Sequence, residues 1–296
     1  MNYRPLVAEV FRQPWAILPE KLQSIADLIA LKVSGELTDA EIQAKFSAGP
    51  RPSAKSSGSI AVIPIHGAIT PHASLFTMIF GGTPLDTLAA DFRQAVADPN
   101  VSAIVLDIDS PGGAVAGLPE MAAEILDARK DKKIVAHATT AASAAYWLGS
   151  AAGELSVSPS GMVGSIGVIA AHEDMSKALE NEGIKISLIT AGKYKADGNP
   201  FEPLSESARA ELQSKVDGFY GMFVKSVAKG RGVSQEAVRS GFGEGRMVMA
   251  SDAVKIGMAD RIETMDQALQ RLGARAPQRS LRAQLARELE LVAATL

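Results

Sequence analysis

The sequence predicts an α/β fold, and three observations carry that expectation. Short apolar runs alternate with amphipathic stretches, the runs are apolar nearly throughout, and Gly/Ser-rich turns follow several of them directly. Strands alternating with helices imply βαβ units and a mostly parallel sheet. Near-continuous apolar strands imply burial on both faces. In open α/β sheets the loops leaving the strands are where sites are built.

The expected strands are Ile60-Ala-Val-Ile-Pro-Ile65, Ala103-Ile-Val-Leu-Asp-Ile108, Lys133-Ile-Val-Ala-His137, residues 165–170 and Ile186-Ser-Leu-Ile189. Helical spacing separates them over residues 85–98, 117–130, 142–152 and 175–182. A long amphipathic stretch at 205–229 ends before Gly230-Arg-Gly232, and a shorter helix starts near Val233.

Residues 1–50 read as a helical N-terminal arm. Leu22, Ile25, Ala26, Leu28 and Ile29 recur at helical spacing, and Thr38-Asp39-Ala40-Glu41 offers an N-cap with acids in the first turn. Residues 51–58 close a Pro/Gly/Ser-rich stretch that reads as a flexible linker. The core is expected over 59–272, followed by a charged helical tail at 273–296, either an assembly element or a solvated face.

Composition removes several classes of function. The formal net charge is −3 and aromatics are 5%, so neither a basic field nor a base-stacking surface suggests nucleic acid. With no cysteine there is no thiolate chemistry, disulfide framework or Cys-based metal site. Residues 56–85 lack charge, but Pro64, Pro71, Pro84, Gly67, Gly81 and Gly82 break any spanning helix. Residues 1–14 carry Arg4, Glu9 and Arg12 without an apolar signal region, so a secretory signal is not expected and a soluble cytoplasmic protein is; hydrolysis by a serine would require no cofactor or metal.

Three spots carry candidate chemistry. Asp109-Ser110-Pro111-Gly112-Gly113 follows a strand, and its glycines would bare backbone N–H groups to a substrate. Thr140-Ala-Ala-Ser143-Ala-Ala-Tyr-Trp147 sets a serine among small residues at a helix start; an ordinary N-cap serine has the same look. Gly161-Met-Val-Gly164-Ser165-Ile-Gly167-Val168 precedes Ala191-Gly-Lys-Tyr-Lys195. A lysine can act as a base only when neutral. Bringing its pKa from about 10.4 to about 7–8 requires roughly 3–4 kcal/mol of differential stabilisation from burial in an uncharged pocket. Residues 138–153 and 155–171 contain no charged side chain and would wall such a pocket.

Together these motifs resemble the S49 peptidases, a family that includes protease IV-type signal peptide peptidases and lambda-type phage head (capsid) proteases. The resemblance runs from about Ser59 to Leu272 and rests on Asp109–Gly113, Ala141–Trp147, Gly164–Val168 and Gly192-Lys-Tyr-Lys195. It implies a crotonase/Clp-like core and a Ser/Lys dyad of Ser143 and Lys195. It further implies that Ser165 orients the amine and that Gly113 and Ala144 amides form the oxyanion hole. Tyr3–Phe11, Trp15–Glu20 and Asp197-Gly-Asn-Pro-Phe201 look like the phage head proteases.

The expectation is therefore an endopeptidase assembled as a homo-oligomeric ring in the host cytoplasm or procapsid interior. Its substrates would be scaffold, portal or capsid proteins or the chain itself, with any scaffold supplied by a separate protein or start. Alternatives are a cytosolic cellular S49 peptidase, a Clp-type Ser-His-Asp peptidase using His172, a crotonase-like acyl-CoA enzyme and an inactive capsid component. His66 and His137 fall in strands and read as core residues, and His72 lies in a loop.

Overall fold

The computed structural model describes residues 13–33, 55–57, 59–73, 77 and 81–273. The expected Thr38 cap, most of the linker and the tail beyond residue 273 lie outside them. In chain order the strands are β1 (Trp15–Ile17), β2 (Lys55–Ser57), β3 (Ile60–His66), β4 (Ile69–Thr70), β5 (Thr83–Pro84), β6 (Ala103–Ser110) and β7 (Gly112–Ala114). They continue with β8 (Lys133–Ala142), β9 (Glu154–Gly164), β10 (Met247–Met249) and β11 (Arg261–Ile262). The helices are α1 (Pro19–Val33), α2 (Leu85–Ala97), α3 (Leu118–Ala128), α4 (Ala144–Ser150) and α5 (Ser176–Asn181). Then come α6 (Glu206–Arg231), α7 (Gln235–Gly241), α8 (Ala250–Lys255) and α9 (Met265–Arg271).

The main sheet has the order β10-β9-β8-β6-β3-β2, with β11 also on β9. Its centre, β3, β6, β8 and β9, is parallel, as the βαβ pattern requires. A smaller sheet, β1-β7-β4-β5, stands over the ends of these strands. Two sequence expectations need correction. The strand after α4 is Glu154–Gly164, and residues 165–170 hold only an isolated bridge at Ile169. Residues 184–190 have no regular structure, and Ile189 is 99% exposed. Among the described residues no strand lies beside it to take its backbone groups, so β-propensity there has nothing to act on.

Alternation sorts the two faces of the main sheet. Ile104, Leu106 and Ile108 join Ile63, Ile65, Ala136 and Leu155 in a core that includes buried residues of α2, α3, α4 and α6. The opposite face buries Ala103 and Val105 against Met265, Leu269 and Leu272 of the α9 region. Further along that face Asp107, His137 and Ser156 stand in register. His137 lies between Ser156 Oγ at 3.0 Å and Ser158 Oγ at 3.2 Å, and burial pushes its pKa down. His66 Nε2 pairs with Asp107 at 3.1 Å. His137 is therefore the buried, partnered sheet residue that the sequence suggests, whereas His66 is partnered but 34% exposed at the strand end.

The C-terminal end of α6 is fastened to the sheet by a bidentate ion pair. Arg231 donates to both Asp260 oxygens at 2.8 Å, and Asp260 accepts Leu155 N–H at 2.7 Å. Burial pushes the Asp260 carboxyl up, but the guanidinium and the Leu155 amide outweigh it and hold the pKa below its ordinary value. A depressed folded-state pKa gives stability that is present above the unfolded value and lost as pH falls through the folded one. Asp260→Ala should cost about 2 kcal/mol near neutral pH, a figure reduced for the carboxylate's partial exposure. Urea unfolding at pH 7 and pH 3 checks this: the gap between wild type and variant should narrow at the lower pH.

Candidate active site

Strand β8 ends at Ala142 and α4 begins at Ala144, so Ser143 occupies the junction alone. Its backbone lies at φ 53°, ψ −114°, a region that disfavours side chains. Holding a non-glycine residue there costs on the order of 1–3 kcal/mol, and such strain persists only where the surroundings enforce it. Here they do. Ser143 N–H donates to Gly164 O at 2.7 Å, and Trp147 N–H donates to Ser143 O at 2.9 Å. The serine side chain is 1% exposed in this single chain, and its Oγ donates to Gly167 O at 3.3 Å.

Helix α4 is short, so tertiary contacts set its position. Trp147 stacks on Phe223 of α6 with ring centres 4.5 Å apart and planes within 8°. Tyr146 Oη donates to Met258 O at 2.9 Å, and full burial pushes the phenol's pKa up. Glycine is needed at 230, where an added Cβ would lie 2.1 Å from Ser150 O. Every residue of α4 is buried and none is charged. The serine therefore sits on a rigid, uncharged support.

Ser165 mirrors Ser143 on the neighbouring strand. It follows the end of β9, has φ 53° and is 6% exposed. Register places Gly164 beside Ala142, so the two serines leave adjacent strand ends side by side. Ser165 N–H donates to Arg246 O at 2.8 Å, and an added Cβ at Gly164 would lie 2.7 Å from that carbonyl. The segment before β10 thus fixes Ser165. Sequence reasoning missed that support because nothing local links residues 165 and 246.

Gly113 lies in the middle of β7, between β1 and β4. The turn before it reaches the serine: a Cβ on Gly112 would stand 3.1 Å from Ala142 O. Ser110 Oγ ties this turn down, donating to Gly67 O at 2.7 Å and accepting Gly112 N–H at 3.2 Å. The fold thus brings Gly113, Ser143, Ala144 and Ser165 to one end of the sheet. Lys195 is exposed within the irregular 184–200 stretch, with its backbone N–H on Gly192 O at 3.1 Å. His172 Nε2 is buried without a hydrogen-bond partner.

A serine held in strained backbone on an uncharged support, beside a glycine-rich strand, is an arrangement suited to acyl transfer. The model of the peptidase family S49 matches residues 127–279, a span that contains Ser143, Ser165 and Lys195. The chain belongs to peptidase family S49. Among curated relatives, capsid assembly protease C of Escherichia phage lambda is 36% identical over 69% of this chain and 46% of its own length. Head-tail preconnector protein GP5 of Enterobacteria phage P21 is 34% identical over 75% of this chain and 45% of that protein. Protease 4 of Salmonella typhi is 30% identical over 73% of this chain and 34% of its own length. The chain thus spans less than half the length of these S49 relatives. Among the described residues no helix is long and apolar enough to cross a membrane.

Proposed function

We propose that this S49 chain is a serine endopeptidase with a Ser143/Lys195 dyad, acting in phage head maturation on scaffold, portal or capsid protein or on itself. The observation that carries the reading is Ser143 itself, strained and buried at the β8–α4 junction beside Ser165 and the Gly112-Gly113 turn. Neutral Lys195 takes the Ser143 hydroxyl proton as Oγ adds to the peptide carbonyl. The Gly113 and Ala144 amides hold the tetrahedral oxyanion, and the protonated lysine returns the proton to the leaving amine. Water, deprotonated by the same lysine, then hydrolyses the acyl-enzyme.

Lys195 must be covered to serve as this base. The stretch that bears it exposes Ile184, Ile186, Leu188, Ile189 and Tyr194, more apolar surface than a solvated loop needs. Packing of this stretch between subunits of a homo-oligomeric ring would bury the amine near a serine, so activity per chain should rise with concentration. The phage setting draws on the names of the lambda and P21 relatives; a cellular S49 role, suggested by the Protease 4 relative, is the second reading.

Intact mass tests the proposal. Wild type treated with a fluorophosphonate should gain one adduct on Ser143 and, untreated, should trim itself or an added scaffold protein. Ser143→Ala should do neither. An adduct elsewhere, or trimming by Ser143→Ala, would overturn the nucleophile. Cleavage of cellular proteins but no capsid component would favour the second reading.

A further inference from the structure

The strand β1 has no place in the βαβ core, yet it is among the best-buried segments of the chain. Trp15 and Ala16 are fully buried, and Ile17 is 2% exposed. It runs antiparallel to β7, pairing Trp15 with Ala114, Ala16 with Gly113 and Ile17 with Gly112. On its other edge Trp15 exchanges two 2.8 Å hydrogen bonds with Ile169. Ile169 lies two residues beyond Gly167, whose carbonyl accepts the Ser143 hydroxyl. The Pro14–Leu18 segment is therefore clamped between two backbone edges that both adjoin the serine.

The ladder shows what it covers. Leu18 N–H donates to Pro111 O at 2.9 Å, and Val115 N–H donates to Pro14 O at 3.3 Å. Antiparallel pairs alternate between bonded and non-bonded, so the pair midway between these, Ala16 and Gly113, occupies a bonded position. There the Gly113 N–H, the amide assigned above to the oxyanion, faces the Ala16 carbonyl. Glycine at 112 is what admits this approach. A Cβ there would lie 2.2 Å from Ala16 O and 3.0 Å from Ile17 Cα, at a φ of +99°.

The geometry points to an autoinhibitory strand: Pro14–Leu18 occupies the peptide-binding cleft in the manner of a substrate, with the Ala16 carbonyl on the oxyanion-hole amide. An extended peptide held by main-chain bonds on both edges is strand addition, and this one is supplied in the same chain. Tethering makes the occupant's binding intramolecular, so an incoming peptide must outcompete it. The occupant also describes the ligand the cleft accepts. That ligand is an uncharged extended peptide with a small side chain opposite Gly113, as Ala16 is, between larger apolar neighbours such as Trp15 and Ile17. The inference rests on Ser143 and Gly113 belonging to the site proposed above.

A disulfide toggle tests it. The chain has no cysteine, and Trp15 and Ala114 face each other at a non-bonded ladder position, where Cα atoms are close enough for a disulfide. In the full-length Trp15→Cys/Ala114→Cys variant, oxidation should lock the strand and reduction should free it. Two readouts are compared on the same molecule: anisotropy of a fluorescent peptide matching residues 13–20, measured in a Ser143→Ala background, and fluorophosphonate labelling with Ser143 present. The reduced form should bind the peptide and label at least about tenfold better than the oxidised form. Equal peptide binding and equal labelling in the two states would overturn the inhibitory strand, as would failure of the disulfide to form. Peptide binding that switches while no form labels would overturn Ser143 as nucleophile and leave the strand in place.

Discussion

Lys195→Ala should lower peptide hydrolysis by about 10²–10⁴-fold, the range that removal of a general base produces. Ser143→Ala should lower it at least as far. The double variant should be no worse than the serine variant, because groups that act as one unit lose their effect together. The neighbouring Lys193→Ala is the informative control. Lys193 lies over the Tyr194 ring with its amine 4.8 Å from the ring centre, and its replacement should change the rate by no more than about twofold. Steady-state rates measured above and below the assembly concentration give the test its second dimension. If Lys195 acts only within an assembled ring, wild type should lose specific activity on dilution, while Lys195→Ala stays flat at the residual rate. A Lys195→Ala enzyme of near wild-type rate would remove the lysine from the mechanism. His172, whose Nε2 is buried without a partner, would then be the base to examine.

The two halves of the proposed dyad are held very differently. The junction that holds Ser143 is legible in sequence because the motif sits where a strand passes into a helix, and the polypeptide itself enforces it. Lys195 is a candidate by resemblance alone. Its stretch carries the apolar side chains of a strand, but among the described residues no strand pairs with it, and Ile186–Ile189 is irregular. The reverse error occurred at β9. Ser156, Ser158, Pro159, Ser160 and Gly161 are residue types common in turns, and the expected strand lay at 165–170, yet Leu155 and Val157 alternate with them, and β8 on one side with β10 and β11 on the other supply the missing hydrogen bonds. The strands expected at Ile60–Ile65 and Ala103–Ile108, which the structure extends to His66 and Ser110, are legible because their pattern is written in side chains. Strands β1 and β7 are three residues each and exist through backbone pairing alone, which composition cannot reveal. That is why Trp15–Ile17 read as part of an arm, although the structure lays it against the candidate site.

Gly113→Ala should separate the contribution of the glycine-rich strand from that of the serine. An added Cβ would lie 2.0 Å from Ile69 O and 2.6 Å from both Ile69 C and Ile69 N. All three atoms are backbone, so no side-chain rotation relieves the clash, and either β7 or β4 must move. Overpacking of this kind costs about 1–3 kcal/mol of stability. Displacing the Gly113 amide should also cost about 10²–10³-fold in turnover, the usual effect of losing one oxyanion donor. The two effects are distinguishable by temperature. Well below the unfolding midpoint the variant is folded, so a rate loss there reports the amide and not the population of native chains. The Michaelis constant should change less than the turnover number, because the oxyanion forms only as the carbonyl is attacked. A variant that is destabilised yet turns over at the wild-type rate when cold would place the oxyanion donors elsewhere. The Ala16 carbonyl would then be resting on an ordinary sheet amide, and β1 would be a structural strand.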